Sequence, residues 1–109
     1  MKTSELTGAA LDWAVAIAEG FDPETLNTKT SVVYSLRYGV YAPSTNWAQG
    51  GPIIERERIT LRFWEGESVV DAYKWDTPSS TGPTPLIAAM RCYVASKLGD
   101  DIDVPSELM

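Results

Sequence analysis

The chain has 109 residues, 44% of them apolar and 10% aromatic, which suffices for one domain with a compact core and no staples. Nine Lys and Arg against fifteen Asp and Glu leave a net charge of −6, which argues against non-specific binding to nucleic acid or to an anionic membrane. With no histidine and a single cysteine, zinc and haem sites built on histidine, Ser-His-Asp and Cys-His catalysis and an internal disulfide are excluded.

Residues 4–19 read as a helix, because Leu6, Ala10, Trp13, Ala14 and Ile17 recur at helical spacing and Gly20 follows as a stop. Thr3 or Ser4 is its expected cap. Ala9, Leu11, Val15, Ala16 and Ala18 widen the apolar face, which suggests covering on more than one side. Glu5, Asp12 and Glu19 lie seven residues apart opposite that face and read as a solvated acidic stripe.

Residues 21–30 carry Asp22, Pro23 and Asn27 without a clear period and read as a connection. From Val32 the pattern alternates: Tyr34, Leu36, Tyr38 and Val40 make one face of an expected strand, and Ser31, Ser35, Arg37 and Gly39 make the other. Two further runs, 59–64 and 69–75, are separated by a short break containing Gly66 and read as an antiparallel hairpin. Between the first strand and this hairpin lies an expected loop of residues 42–52, with Pro43, Gly50, Gly51 and Pro52. Residues 53–58 can lead into the second strand or form a solvated extension, and the sequence leaves that open.

The turn-rich stretch 76–84 ends in a helix start, with Thr84 as N-cap and Pro85 as first helical residue. The helix runs to Leu98 and stops at Gly99. Leu86, Ile87, Met90, Val94 and Leu98 form its main stripe, and Ala88, Ala89, Cys92, Ala95 and Ser96 a small-residue face open to close approach, either by another element or by a second copy. Cys92, with no histidine to activate it, reads as a packing residue. The acidic tail 100–109 is either frayed or docked through Ile102, Val104 and Leu108. The expected architecture is therefore α+β: a single domain, residues 1–109, with a small antiparallel sheet of about three strands packed by an N-terminal and a C-terminal helix.

Two segments offer binding chemistry. In residues 44–52, Ser44, Asn46 and Gln49 supply hydroxyl and amide groups, Trp47 a flat apolar face, and Gly50 and Gly51 close backbone approach. The same residues can equally turn the chain and plug the core. At Thr84 the free N–H groups of a helix start can hold an anion, although every capped helix has such an end and no phosphate-binding glycine motif accompanies it. Arg56 and Arg91 are cations able to meet an anion, and neighbouring carboxylates can absorb them. No carboxylate pair, calcium loop or cofactor motif stands out, so the expectation is a non-enzymatic protein without a cofactor.

The runs YAPSTNWAQGGPIIER from Tyr41 to Arg56 and TGPTPLIAAMRCYVASKLG from Thr81 to Gly99 together resemble the phage NinX family, small accessory proteins of lambdoid phages and prophages. The likeness extends to the opening MKTSELTGAALDW and to Val104-Pro105, but not to residues 21–30 and 65–80. It implies a phage or prophage origin and a setting in the bacterial host's cytoplasm, in line with the absence of a secretory signal pattern and of a membrane-length apolar run. It implies no reaction, cofactor or catalytic residue.

Two functions follow as expectations. The first is binding of a small anionic, nucleotide-like ligand between residues 44–52 and the start of the last helix, through Ser44, Asn46, Trp47, Gln49, Gly50, Gly51, Arg56, Thr84 and Arg91. The alternative is a protein-interaction module acting on a host or phage protein, with Trp47 and Trp64 as anchors. A pocket binder has Trp47 recessed beside the last helix, whereas an interface protein displays Trp47 or Trp64 on an exposed apolar patch.

Overall fold

Thr84 and Pro85 start the last helix as the sequence requires: the Thr84 hydroxyl accepts the Ile87 N–H at 3.1 Å, and α3 spans Pro85–Leu98 with Gly99 as its stop. Leu86, Ala88, Ala89, Met90, Cys92, Tyr93 and Val94 are all buried, because α3 is covered by α1 (Gly8–Ala18) on one side and by a sheet on the other. This helix sits at the centre. Within its small-residue face, Ala88, Ala89 and Cys92 are fully buried inside the chain, whereas Ala95 and Ser96 are half-buried.

The computed structural model describes residues 1–28 and 32–108. The last two residues of the predicted 21–30 connection, Ser31 of the predicted first strand and the terminal Met109 lie outside the described residues. Among the described residues there are three α-helices and two three-stranded antiparallel sheets, an α+β architecture with one more sheet than expected. The first sheet orders β1 (Leu26–Asn27), β2 (Val33–Ser35) and β3 (Gly39–Tyr41); the second orders β4 (Thr60–Phe63), β5 (Val70–Tyr73) and β6 (Ser80–Gly82). The predicted hairpin is β4–β5, with Leu61 opposite Ala72 and Phe63 opposite Val70. Val70 and Ala72 are buried and packed with α3. The turn-rich stretch contributes β6, which was not expected.

Four expectations are corrected. The N-terminal helix begins only at Gly8, with Thr7 in the cap position; Thr3–Glu5 form a separate 3-10 turn, and Thr3 instead donates its hydroxyl to the Gly99 carbonyl at 2.7 Å. The alternating run 32–40 folds into a hairpin of β2 and β3 with its faces reversed: Val33, Ser35 and Tyr41 are buried, while Tyr34, Leu36, Tyr38 and Val40 are exposed. A three-residue turn, Leu36 to Tyr38, preserves the alternation, with the Ser35 hydroxyl accepting the Tyr38 N–H at 2.8 Å and Gly39 at φ +70°. The third correction is that most of the predicted loop 42–52 and the undecided residues 53–58 form α2, Trp47–Glu57, with Pro52 inside it. Lastly, the acidic stripe is not solvated: of its three residues only Glu5 is exposed, whereas Asp12 is buried and Glu19 half-buried.

The tail is docked. The Thr3 N–H donates to the Asp100 carbonyl at 2.9 Å, the Ile102 N–H to the Met1 carbonyl at 2.9 Å, and Ile102, Val104 and Leu108 pack on the core. No helix among the described residues is long and apolar enough to cross a membrane.

Candidate functional site

Each residue singled out around position 50 has a definite place. Asn46 caps α2, its side chain accepting the Ala48 N–H at 2.9 Å. Gln49 faces back to β3, the edge strand of the first sheet. Its Oε1 accepts the Ala42 N–H at 2.7 Å and its Nε2 donates to the Val40 carbonyl at 3.0 Å, so the side-chain amide occupies the place of a neighbouring strand's peptide. Gly50 is buried where α2 meets α3: a Cβ there would collide with the Pro43 carbonyl oxygen and stand 2.6 Å from Leu86 Cδ2. Gly51 lies 3.7 Å from the Trp47 ring by the same measure. Ser44 is buried, donates its N–H to Asp12 Oδ1 at 2.8 Å, and leaves its hydroxyl without a hydrogen-bond partner among the described residues. The segment and the start of α3 are therefore brought together, but in direct contact through Gly50 and Leu86.

The two arginines also make their bonds within the chain. Arg91 donates from Nε to the Leu6 carbonyl and from Nη1 to the Thr81 carbonyl, both at 2.8 Å, and burial lowers its pKa. Arg56 donates from Nη1 and Nη2 to both Glu19 oxygens, at 3.1 and 2.7 Å, and from Nε to Glu57 Oε2 at 3.0 Å. The buried Tyr93 hydroxyl donates to Glu19 at 2.5 Å, and Lys74 reaches Glu57 at 2.9 Å. These groups link the ends of α1 and α2 to the middle of α3. Burial pushes Glu19 and Glu57 up, but the hydrogen bonds from Arg56 and Tyr93 to the first, and from Lys74 and Arg56 to the second, outweigh it and hold both below the usual glutamate range. Burial and the Glu19 hydrogen bond raise the Tyr93 phenol, so it stays protonated.

Beside this network opens a cleft of about 270 Å³. Phe21, Tyr38 and Tyr41 wall one side, Ala48, Pro52 and Ile53 of α2 the other, and Gln49, Glu19 and Arg56 complete the lining. The rings are mutually packed, Phe21 to Tyr41 at 4.9 Å between centroids and Phe21 stacked on Tyr38 at 5.6 Å. Tyr41 is only 6% exposed, and burial, then the Glu19 carboxylate, raise its phenol well above the ordinary value. Of the sequence-predicted set, Gln49 and Arg56 line this cleft; Ser44, Asn46, Trp47, Gly50, Gly51, Thr84 and Arg91 do not.

Sequence reasoning missed Phe21, Tyr38 and Tyr41. Their signal was a cluster of aromatics on either side of a turn-forming Gly39, visible only once the alternation is folded into a hairpin. The outer side of that hairpin is apolar: Tyr34 stands opposite Val40 across the strands, and Leu36 is 83% exposed at the turn. Trp47 and Trp64 are also exposed, at 55% and 47%, rather than recessed. A larger hollow, about 420 Å³, lies elsewhere, between Lys2, Asp100 and the hydroxyl residues Ser79 to Thr81.

The sequence was also compared with known proteins. A family model described as Bacteriophage P22, NinX matches residues 2–97. No curated protein matches the chain.

Proposed function

The chain belongs to the Bacteriophage P22 NinX family, and on that premise we propose that this phage accessory protein is a non-enzymatic protein-interaction module acting on a host or phage protein in the bacterial cytoplasm. The observation that carries the reading is the outer face of the β2–β3 hairpin, where Tyr34, Leu36, Tyr38 and Val40 all stand exposed although their alternation would serve to bury them. Turning the larger apolar set outward forfeits its burial in this chain, and a partner surface recovers it. Tyrosines with aliphatic neighbours are also the composition of an interface centre.

Binding of a small anionic, nucleotide-like ligand between residues 44–52 and the start of α3 has less support. Gly50 and Leu86 occupy that position themselves. Arg56 is neutralised by Glu19 and Glu57, and Arg91 is directed at two carbonyls.

The test is site-specific photo-crosslinking from Leu36 in the phage's bacterial host, with the crosslinker at the exposed Glu67 as control. A discrete adduct from Leu36 and none from Glu67 is the expected result. Equal, diffuse labelling from both positions overturns the reading, and a nucleotide-dependent rise in Tm abolished by Gln49→Ala would favour the ligand reading instead.

A further inference from the structure

The cleft beneath the hairpin carries the interface reading a step further, to the chemistry of the group it receives. Tyr41 is more than nine-tenths buried as a residue, but its hydroxyl is not sealed in the core and makes no hydrogen bond to another described residue, so it is open to the cleft. A phenol open to a cleft in this way can both donate to and accept from a group that enters it. Tyr93, at a comparable depth, shows the contrast, since its hydroxyl donates to Glu19 and stands 3.3 Å from Arg56 Nη2. Tyr41 instead lines the cleft, among the rings of Phe21 and Tyr38 and the apolar side chains of Pro52 and Ile53.

The cleft's charges are spent. Arg56 is held by Glu19 and Glu57, and Glu57 is further matched by Lys74, so no unbalanced charge is left to select an ion. At about 270 Å³ the cleft falls just below the range of about 300–1,000 Å³ typical of whole small-molecule ligands, which suits a single side chain better than a nucleotide. It also shares Phe21 and Tyr38 with a second hollow of about 260 Å³ that reaches Leu36 at the hairpin turn, so it is continuous with the exposed apolar face.

We infer that the cleft is the anchor pocket of the interface and receives one uncharged aromatic side chain bearing a hydrogen-bonding group, a tyrosine or tryptophan of the partner, which stacks among Phe21, Tyr38 and Tyr41 and bonds the Tyr41 hydroxyl. This inference rests on the interaction reading for the identity of the occupant, while the pocket chemistry stands on its own geometry.

The experiment uses the whole protein and side-chain analogues: p-cresol for tyrosine, 3-methylindole for tryptophan, and toluene as the ring without a polar group, each titrated by NMR. The expected result is that p-cresol or 3-methylindole shifts Tyr38, Tyr41 and Ile53 signals with roughly three- to tenfold higher affinity than toluene, the worth of one hydrogen bond. Tyr41→Phe, which keeps the ring, should erase that advantage without changing toluene binding. Toluene binding as well as the other two, or no shifts at the cleft with any of them, overturns the pocket assignment. If the analogues bind but Leu36 yields no adduct in the host, the interaction reading fails and the pocket stands; if Leu36 crosslinks but the analogues leave the cleft unmoved, the reverse holds.

Discussion

Asp12 and Glu19 stand seven residues apart on one helix, and the fold treats their carboxyls in opposite ways. Burial raises the Asp12 pKa above its ordinary 3.8, against the lowering effect of the neighbouring Ser44 side chain and N–H, whereas Glu19 ends below 4.5 because Arg56 and Tyr93 outweigh its burial. The signs of the linkage follow. Asp12 contributes stability that is fully present below about pH 3.8 and lost as pH rises through its raised folded value; Glu19 contributes stability present above about pH 4.5 and lost as pH falls through its lowered one. In Asp12→Asn the amide oxygen still accepts the Ser44 N–H, and the buried charge is removed. The variant should melt above the parent at pH 7, with the gap closing towards pH 3.5. Thermal melts at the two pH values measure it, and a lower Tm for the variant at pH 7 would show that the ionised carboxylate stabilises the fold. Nothing in the sequence separates the two acids, since seven-residue spacing puts both on one face and only α2 and the segment before it decide what covers them.

Among the elements, α3 and the β4–β5 hairpin were legible because their signals are local: a Thr-Pro start and a glycine stop for one, two alternating runs around a glycine-containing break for the other. Helix α2 was not. Gly50-Gly51-Pro52 is a breaker by propensity, costing about 1 kcal/mol for each glycine and 3 or more for a mid-helix proline. What holds it as a helix is the local Asn46 cap together with contacts to other elements: Gln49 on β3, Ile53 in the core, and Arg56 and Glu57 in the charge network. Gly50 is the clearest instance, since a loop glycine and a glycine pressed against Pro43 and Leu86 look alike in sequence. Gly50→Ala, a favourable change in a solvent-exposed helix, should therefore cost about 1–3 kcal/mol here, lowering Tm by roughly 5–15 °C. Calorimetry decides it, and an unchanged or higher Tm would mean that α2 and α3 have room to separate. The same locality explains the candidate site. Gln49 and Arg56 were picked out as polar side chains in the right segment, but the ring cluster they border depends on which side of the hairpin meets α1.

For the molecule as a whole, the two ends of the chain are sewn together around α3, and the hairpin forms a rim over α1 while α2 packs on α3. Tyr34, Leu36, Tyr38 and Val40 stand exposed on that rim, and Phe63, Trp64 and Trp75 elsewhere, in a protein whose net charge of −6 repels its own copies. The rim's sheet ends at β3, and a free strand edge beside an apolar face is an invitation to pair with any passing strand. Gln49 answers both halves of the invitation with one amide, so a single side chain stands between a selective surface and an adhesive one. Gln49→Ala should leave most of the fold in place, yet turn a concentration-independent sedimentation profile into one that grows with protein concentration. A variant that stays monomeric across the range would assign that protection to charge repulsion alone. Where neighbouring proteins are crowded and many expose strands while still being made, this amide also guards the rim against accidental pairing, leaving side-chain fit to choose the partner.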